Sequence, residues 1–132
     1  METIKSFTSL EQSKKLAEIL PLESADMSYS FNFDSGIYEI STTSYKSWVV
    51  PKYAQPDDGF GQVIPCWSIG ALLGVLPDEL GDNHFLTLTK EDNEYCCCYE
   101  DVNGNSFRHT FADNPVDACY EMILKLNELN LL

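Results

Sequence analysis

Apolar and polar residues alternate along the C-terminal third of the chain, and the pattern then changes to a helical period. The alternation predicts three strands, because successive side chains of a strand point to opposite faces of its sheet. The strands are residues 84–90, 94–100 and 105–111. Asn103-Gly104 tolerates positive φ angles and predicts a type I′ hairpin turn between the last two strands. The final strand is expected to carry Phe107, His109 and Phe111 on one face.

The segment after these strands has the start signals and the spacing of an amphipathic helix. Asn114 is placed to cap the helix, Pro115 suits its first position, and Asp117 lies near the positive end of the helix dipole. The apolar residues recur at three- and four-residue steps: Val116, Cys119, Tyr120, Ile123 and Leu126. The pattern predicts a helix that packs one face on the sheet.

The first half of the chain predicts one further helix and two strands. A capping box from Thr8 to Glu11 predicts a helix over residues 9–20 that ends at Pro21. Strands are predicted over residues 28–33 and 37–45, on either side of a turn at residues 34–36.

A loop and a third helix are predicted in the middle of the chain. Residues 50–63 contain several proline and glycine residues and read as a loop. The helix opens at Pro65-Cys66-Trp67-Ser68, with Ser68 as its cap, and ends at Pro77. Because it is apolar all round, it is expected to be buried.

Together these elements predict an α+β fold in the order α-β-β-loop-α-β-β-β-α, with helices packed on one face of a mainly antiparallel sheet. With 132 residues and 44% hydrophobic content, the chain has enough apolar material for one core, so residues 1–132 are expected to form a single domain.

The charge of the chain restricts its partners and its location. A formal net charge of −13 repels phosphate backbones and anionic lipids, so neither direct nucleic-acid binding nor membrane binding is expected. No apolar run is long enough for a membrane span, and the start lacks a secretory signal pattern. A cytoplasmic protein is the prediction. The 5 cysteines, three of them consecutive, fit free thiols better than a disulfide framework.

One candidate for catalysis emerges from the cysteines. Cys66 at the start of a helix would have its thiolate favoured by the helix dipole, and His84 and His109 follow it in the order used by papain-like and NlpC/P60-type hydrolases. Neither histidine has a surrounding signature, and Cys66 lies between a proline and a tryptophan. The chain is therefore predicted not to be an enzyme, with a cysteine hydrolase as the alternative.

No cofactor and no metal ion are predicted from the sequence. Structural zinc requires paired ligands at short spacing, whereas Cys96, Cys97 and Cys98 alternate along one strand and do not converge on one ion. No glycine-rich phosphate loop with a following lysine is present.

The remaining hypothesis is a non-enzymatic accessory or adaptor protein that binds another protein, whose identity the sequence does not indicate. The expected contact residues lie in or beside the 50–63 loop, since exposed aromatic residues are common at interface hot spots. They are Trp48, Tyr53 and Phe60. An acidic inhibitor that mimics nucleic acid and blocks a DNA-binding protein is a second alternative. No feature of the sequence indicates an oligomeric state.

Two strings of the chain resemble a known family. They are Pro65-Cys66-Trp67-Ser68-Ile69-Gly70-Ala71-Leu72-Leu73, and the stretch from Asn114-Pro115-Val116-Asp117 to Leu132. Both are similar to segments of short uncharacterised proteins encoded in prophages and other mobile elements of gut bacteria. The resemblance implies a cytoplasmic accessory protein, and it implies no activity, cofactor or catalytic residue.

Overall fold

A computed structural model describes residues 4–32, 34–43 and 63–132, and these residues form an α+β fold. The elements within them are α1 (Leu10–Ala17), a 3₁₀ helix (Leu22–Ser24), β1 (Met27–Asn32), β2 (Ile37–Ser41), β3 (Val63–Cys66), α2 (Ile69–Val75), β4 (Glu79–Leu80), β5 (His84–Glu91), β6 (Glu94–Glu100), β7 (Ser106–Ala112) and α3 (Pro115–Glu128). The predicted fold class is confirmed, and the structure adds β3 and β4 to the predicted elements. None of the described helices has the length and apolar character needed to cross a bilayer.

The strands form two sheets rather than one. The first has the order β2-β1-β3 and the second the order β4-β5-β6-β7, and every pair is antiparallel. The chain divides into two compact units, one formed by the described residues of Phe7–Ala71 and the other by those of Met1–Ser6 and Leu72–Leu132. The expectation of a single sheet was wrong, whereas the single domain stays a prediction.

In the Phe7–Ala71 unit, α1 packs on β3 and begins one residue later than predicted. Ser9, not Thr8, is the N-cap, and its hydroxyl accepts a hydrogen bond from the backbone N–H of Gln12. The Gln12 side chain accepts from the Ser9 N–H at 3.0 Å, which completes a capping box. Glu11 therefore has no part in the box, and the Thr8 side chain is fully buried instead.

The segment around Cys66 is a strand and not the opening of a helix. β3 pairs with β1 at the edge of its sheet, with Cys66 opposite Met27 and Pro65 opposite Ser28. An edge strand tolerates proline, which has no N–H to donate. Helix α2 starts only at Ile69, where the Ser68 hydroxyl accepts from the Ala71 N–H as an N-cap would. Within α2 Leu72 alone is buried, so the predicted burial of the whole helix was wrong.

The C-terminal unit contains the strands with the clearest alternation, and its two hairpins use different turns. Asp92 and Asn93 both have positive φ, 52° and 63°, so the two-residue turn between β5 and β6 has the type I′ signature. Between β6 and β7 only Gly104 has positive φ, and the Asp101 carboxylate accepts from the N–H groups of Asn103 and Asn105 at 2.9 Å. The hairpin predicted at Asn103-Gly104 is present, but its type I′ turn is not.

A β-bulge in β7 changes which residues share a face. Cys97 pairs with Thr110 and Tyr99 with Phe107, so two residues of β7 lie opposite Cys98 alone. The bulged strand contains Arg108 at φ 60°, outside the extended region. Phe107 therefore lies on the same face as Tyr99, and His109 and Phe111 lie on the other. The prediction that Phe107, His109 and Phe111 share a face was wrong.

Helix α3 begins as predicted and covers one face of the four-stranded sheet. The Asn114 side chain accepts from the Asp117 N–H at 2.8 Å, and Pro115 occupies the first turn. The helix packs on β6 and β7, and the Thr110 hydroxyl donates to the Ala118 carbonyl at 2.6 Å. The fully buried residues of α3 are Val116, Ala118, Cys119, Met122, Ile123 and Leu126. The face beneath α3 is called the covered face below.

Candidate functional site

The contact surface predicted from the sequence falls on residues that the structure does not describe. Trp48, Tyr53 and Phe60 all lie outside the described residues, as does the 50–63 segment up to the start of β3. The prediction that these aromatic residues bind a partner stays a prediction.

Cys66, the candidate nucleophile, is a fully buried residue of β3. Its sulfur lies 3.5 Å from both the hydroxyl and the carbonyl oxygen of Thr8, and that hydroxyl is 2.7 Å from the hydroxyl of Ser13. Burial raises the pKa of the Cys66 thiol, although hydrogen bonds from Thr8 and Ser13 oppose the rise. The thiol is therefore neutral at pH 7. Cys66 does not stand at the start of α2, where the sequence had placed it, because α2 begins three residues later.

The two histidines belong to the C-terminal unit, whereas Cys66 belongs to the Phe7–Ala71 unit. His84 is the first residue of β5, and its ring packs edge-on against Phe107 with centroids 4.6 Å apart. Its Nδ1 is buried and has no hydrogen-bond partner among the described residues. His109 lies in β7, where its Nε2 is 2.6 Å from the Ser106 hydroxyl and its ring stacks on Phe111 at 5.9 Å.

His109 belongs to a concave surface on the face of the four-stranded sheet opposite α3, which is called the open face below. Strand alternation and the bulge place Cys96 and Cys98 of β6 on this face with His109 and Phe111 of β7. They line a groove of about 390 Å³, together with Thr89, Glu91, Asp92, Glu94 and Glu100. Phe111 pairs directly with Cys96 and is 57% exposed. The groove therefore has an apolar floor of sulfur and aromatic carbon.

The rim of the groove is acidic. Glu91 and Glu94 face each other across the β5–β6 turn, with Asp92 between them in the turn, and Glu100 lies at the other end of β6. The groove lining, all of it within the described chain, contains no Lys or Arg. None of the four carboxylates makes an ion pair with a described residue. Like charges directly opposite each other destabilise a sheet, so this hairpin tip carries an electrostatic cost.

The thiols of β6 form two different pairs on the two faces of the strand. On the open face, burial raises the pKa of Cys98 to about 12, and the neighbouring Cys96 thiol adds to the rise. On the covered face, a hydrogen bond to Cys119 and burial raise the pKa of Cys97, and the same bond lowers the pKa of Cys119. All five cysteines are free thiols, and Cys96 is the least buried of them.

With the geometry of both units described, the chain was compared with known proteins. No family model, curated protein or solved structure matches it. The function is therefore argued from the residues of this chain alone.

The described residues contain no group of three or more His, Cys, Asp or Glu side chains that could hold a metal ion. Sites that need three or four protein ligands, such as structural zinc, are thus not formed by these residues. The groove combines carboxylates with an apolar floor, and a surface of this kind can contact a ligand that is cationic and partly apolar.

The sequence contained part of the signal for this groove. Alternation alone placed Cys96 and Cys98 on one face of a strand, and the acids around the β5–β6 turn were visible. What it did not contain was the bulge at Arg108, which brings His109 and Phe111 to that face while Phe107 turns to the other. Without the bulge, an alternating strand would have put all three aromatic rings together.

Proposed function

We propose that this protein is a non-enzymatic accessory protein that binds a basic, partly apolar segment of another protein in the groove of the open face. The observation that carries the proposal is an acidic rim, without an ion pair to any described residue, around Cys96, Cys98 and the exposed ring of Phe111. The resemblance to prophage and mobile-element proteins supports an accessory role in such an element.

The charge distribution supports a cationic partner. Carboxylates without counter-ions attract Lys and Arg side chains, and a net charge of −13 steers a basic partner toward the protein over longer distances. The facing pair of Glu91 and Glu94 is costly in the free protein, and a bound cation would relieve that cost. Residues that break a local rule for stability are commonly found at functional sites.

The floor of the groove supports an apolar component to binding. Phe111 is exposed and lies beside His109, with the two rings stacked at an interplanar angle of 7°. Aromatic side chains in partly desolvated sites are frequent anchors of protein interfaces, and surrounding polar residues then form the rim. Apolar side chains interspersed with Lys or Arg would match this surface. Basic surfaces of DNA-binding proteins include such segments. The same peptide-binding measurement therefore also tests the hypothesis of an acidic inhibitor of a DNA-binding protein.

A peptide-binding measurement tests the proposal. The probe is a fluorescein-labelled decapeptide of alternating Lys and Val, with a Glu-Val peptide as its charge control, and the readout is fluorescence anisotropy at two salt concentrations. We expect the Lys-Val peptide to bind and the Glu-Val peptide not to bind. The affinity of the Lys-Val peptide should fall as salt rises, because salt screens exposed charges.

Two variants with matched charge changes locate the binding surface. The first converts the rim acids Glu91, Asp92, Glu94 and Glu100 to their amides. The second converts four exposed acids outside the groove lining in the same unit, Glu79, Asp82, Glu121 and Glu128. We expect the first to weaken binding at least ~10-fold, or about 1.4 kcal/mol, and the second to have a much smaller effect.

Two results would contradict the proposal. One is an equal loss of affinity in the two matched variants, which would indicate a diffuse charge effect. The other is a loss on alanine replacement of Trp48, Tyr53 and Phe60 with no loss in the rim variant, which would return the contact surface to the residues predicted from the sequence.

A further inference from the structure

We propose that the groove of the open face anchors its partner through an arginine side chain, which stacks on the ring of Phe111 and pairs with the carboxylate of Glu94. The inference rests on the proposed function, because it specifies which cationic residue of the bound segment the groove selects. Lysine at the same place in the segment is then the poorer ligand.

The ring of Phe111 is an exposed platform that a second ring of β7 holds in place. The His109 ring lies nearly parallel to it, at an interplanar angle of 7° and a centroid distance of 5.9 Å. His109 is itself held by the Ser106 hydroxyl, which lies 2.6 Å from its Nε2. Phe111 is nevertheless 57% exposed, so much of its surface is open to a ligand. A ring that is ordered before binding loses less conformational entropy when a partner stacks on it.

The register of the sheet places a carboxylate beside this platform. Phe111 lies directly opposite Cys96, and Glu94 precedes Cys96 by two residues on the same face of β6. Glu94 is therefore a diagonal neighbour of Phe111, and such neighbours lie roughly 7–8 Å apart, within reach of long side chains. Glu91 pairs directly with Glu94 across the β5–β6 turn and adds to the negative potential there. A cation in contact with the Phe111 ring can thus reach the Glu94 carboxylate.

Arginine matches this arrangement better than lysine does. Its guanidinium group is planar and stacks on an aromatic face, while its fork of N–H donors pairs with a carboxylate through two parallel hydrogen bonds. The lysine ammonium is a compact, strongly hydrated point charge and has no flat face to stack. The groove lining, which belongs entirely to the described chain, has four carboxylates and neither Lys nor Arg. No cationic side chain of the lining therefore competes with the arginine.

A comparison of two peptides on the intact chain tests the inference. The probes are the fluorescein-labelled Lys-Val decapeptide and a matching Arg-Val decapeptide, which carry the same charge and are measured by anisotropy under the same conditions. We expect the Arg-Val peptide to bind at least ~3-fold more tightly, because stacking on the ring adds to the attraction between charges. In Phe111→Leu this preference should disappear, because leucine keeps the floor apolar but has no aromatic face.

Two further variants separate the ring of Phe111 from aromatic surface in general. Phe111→Tyr keeps an aromatic ring at this position and should keep the preference, and circular dichroism confirms that each variant is folded. Phe85 of β5 is 44% exposed and lies outside the groove lining, so Phe85→Leu is the matched control and should leave the preference unchanged. A preference that survives Phe111→Leu, or one that is lost in Phe85→Leu, would overturn the inference.

Failure of this inference is distinguishable from failure of the proposed function. Equal affinity of the two peptides, with binding that still depends on the rim acids, would overturn the selection of arginine and leave the basic-segment proposal standing. Binding of neither peptide would overturn both.

Discussion

The two faces of β6 use the same types of residue for different purposes. On the covered face, Cys97 and Tyr99 are fully buried, as is Cys119 of α3, whose thiol raises the pKa of Cys97. On the open face, Cys96 and Cys98 form the floor of a groove whose rim is acidic. A thiol on one face completes a core, and its neighbour in sequence lines the groove of the other face. Residue type alone therefore does not separate structure from function in this strand.

The polar groups of the two faces differ in the same way. On the covered face the Tyr99 hydroxyl donates to the Pro77 carbonyl at 2.8 Å, and the Thr110 hydroxyl donates to the Ala118 carbonyl. Both hydroxyl groups therefore have hydrogen-bond partners, as buried polar groups require. On the open face the carboxylates of Glu91 and Glu94 face each other across the turn. The covered face is organised for stability, whereas the open face carries an electrostatic cost that the proposed basic partner would offset.

The largest expected difference between the faces is the effect of a buried charge. Ile123→Asp puts a carboxylate into the fully buried side of α3 and should destabilise the protein by about 4 kcal/mol or more, because the charge has no partner there. Phe111→Asp, on the exposed surface of the open face, should cost far less. Urea denaturation followed by circular dichroism measures both changes. Equal midpoints for the two variants would show that the faces do not differ in burial.

Thiol reactivity should separate the cysteines by their exposure. We expect a neutral alkylating reagent to modify Cys96 first in the native protein, and Cys66, Cys97 and Cys119 at least ~100-fold more slowly, because buried protonated thiols react only after local opening. Peptide mapping by mass spectrometry after an acid quench gives the rate at each site. Fast modification of Cys66 at pH 6 that is lost in His84→Ala or His109→Ala would instead favour the cysteine hydrolase.

A matched pair of threonine substitutions tests the role of hydrogen bonds on the two faces. Thr110→Val removes the side-chain donor to the Ala118 carbonyl and should cost about 1 kcal/mol, because one hydrogen bond between the sheet and α3 is lost. Thr89→Val, on the exposed open face, should change the unfolding free energy by less than ~0.5 kcal/mol. Both variants carry the same Thr→Val change, and urea denaturation measures the unfolding free energy of each. A larger loss from Thr89→Val would contradict the division into covered and open faces.

The smallest predicted effect has the opposite sign. Glu94→Gln removes one charge from the facing pair with Glu91 and should stabilise the protein by about 0.5 kcal/mol while weakening the Lys-Val peptide. Glu79→Gln, outside the groove lining, serves as the control and should change neither quantity appreciably. Thermal denaturation at low and high salt measures stability, and the gain should shrink as salt rises. A loss of stability in Glu94→Gln would show that this carboxylate supports the fold.

The elements with strong local signals were predicted from the sequence. The limits of β6 agree with the prediction, and Asn114 and Pro115 begin α3 as expected. In both cases the determining forces act within a few residues, through side-chain alternation in the strand and through capping and proline geometry in the helix. The placement of Cys96 and Cys98 on one face of β6 followed from the same alternation.

The features that were missed depend on partners distant in sequence. β3 has four residues and includes Pro65, so its strand character comes from pairing with β1 and not from its own composition. The division of the strands between two sheets is likewise a matter of long-range pairing. The bulge places Arg108 at positive φ. An arginine in the sequence does not indicate that conformation, so tertiary packing must support it.

The central claim is that the open face, and not the net charge of the whole protein, recognises a basic segment. Backbone amide NMR spectra recorded during titration with the Lys-Val decapeptide test it most directly. The account predicts shifts that concentrate at the β5–β6 turn and at Cys96, Cys98, His109 and Phe111, and that saturate at one peptide per chain. Shifts spread over the acidic residues of both units, or concentrated at residues 44–62 with the groove unchanged, would contradict it.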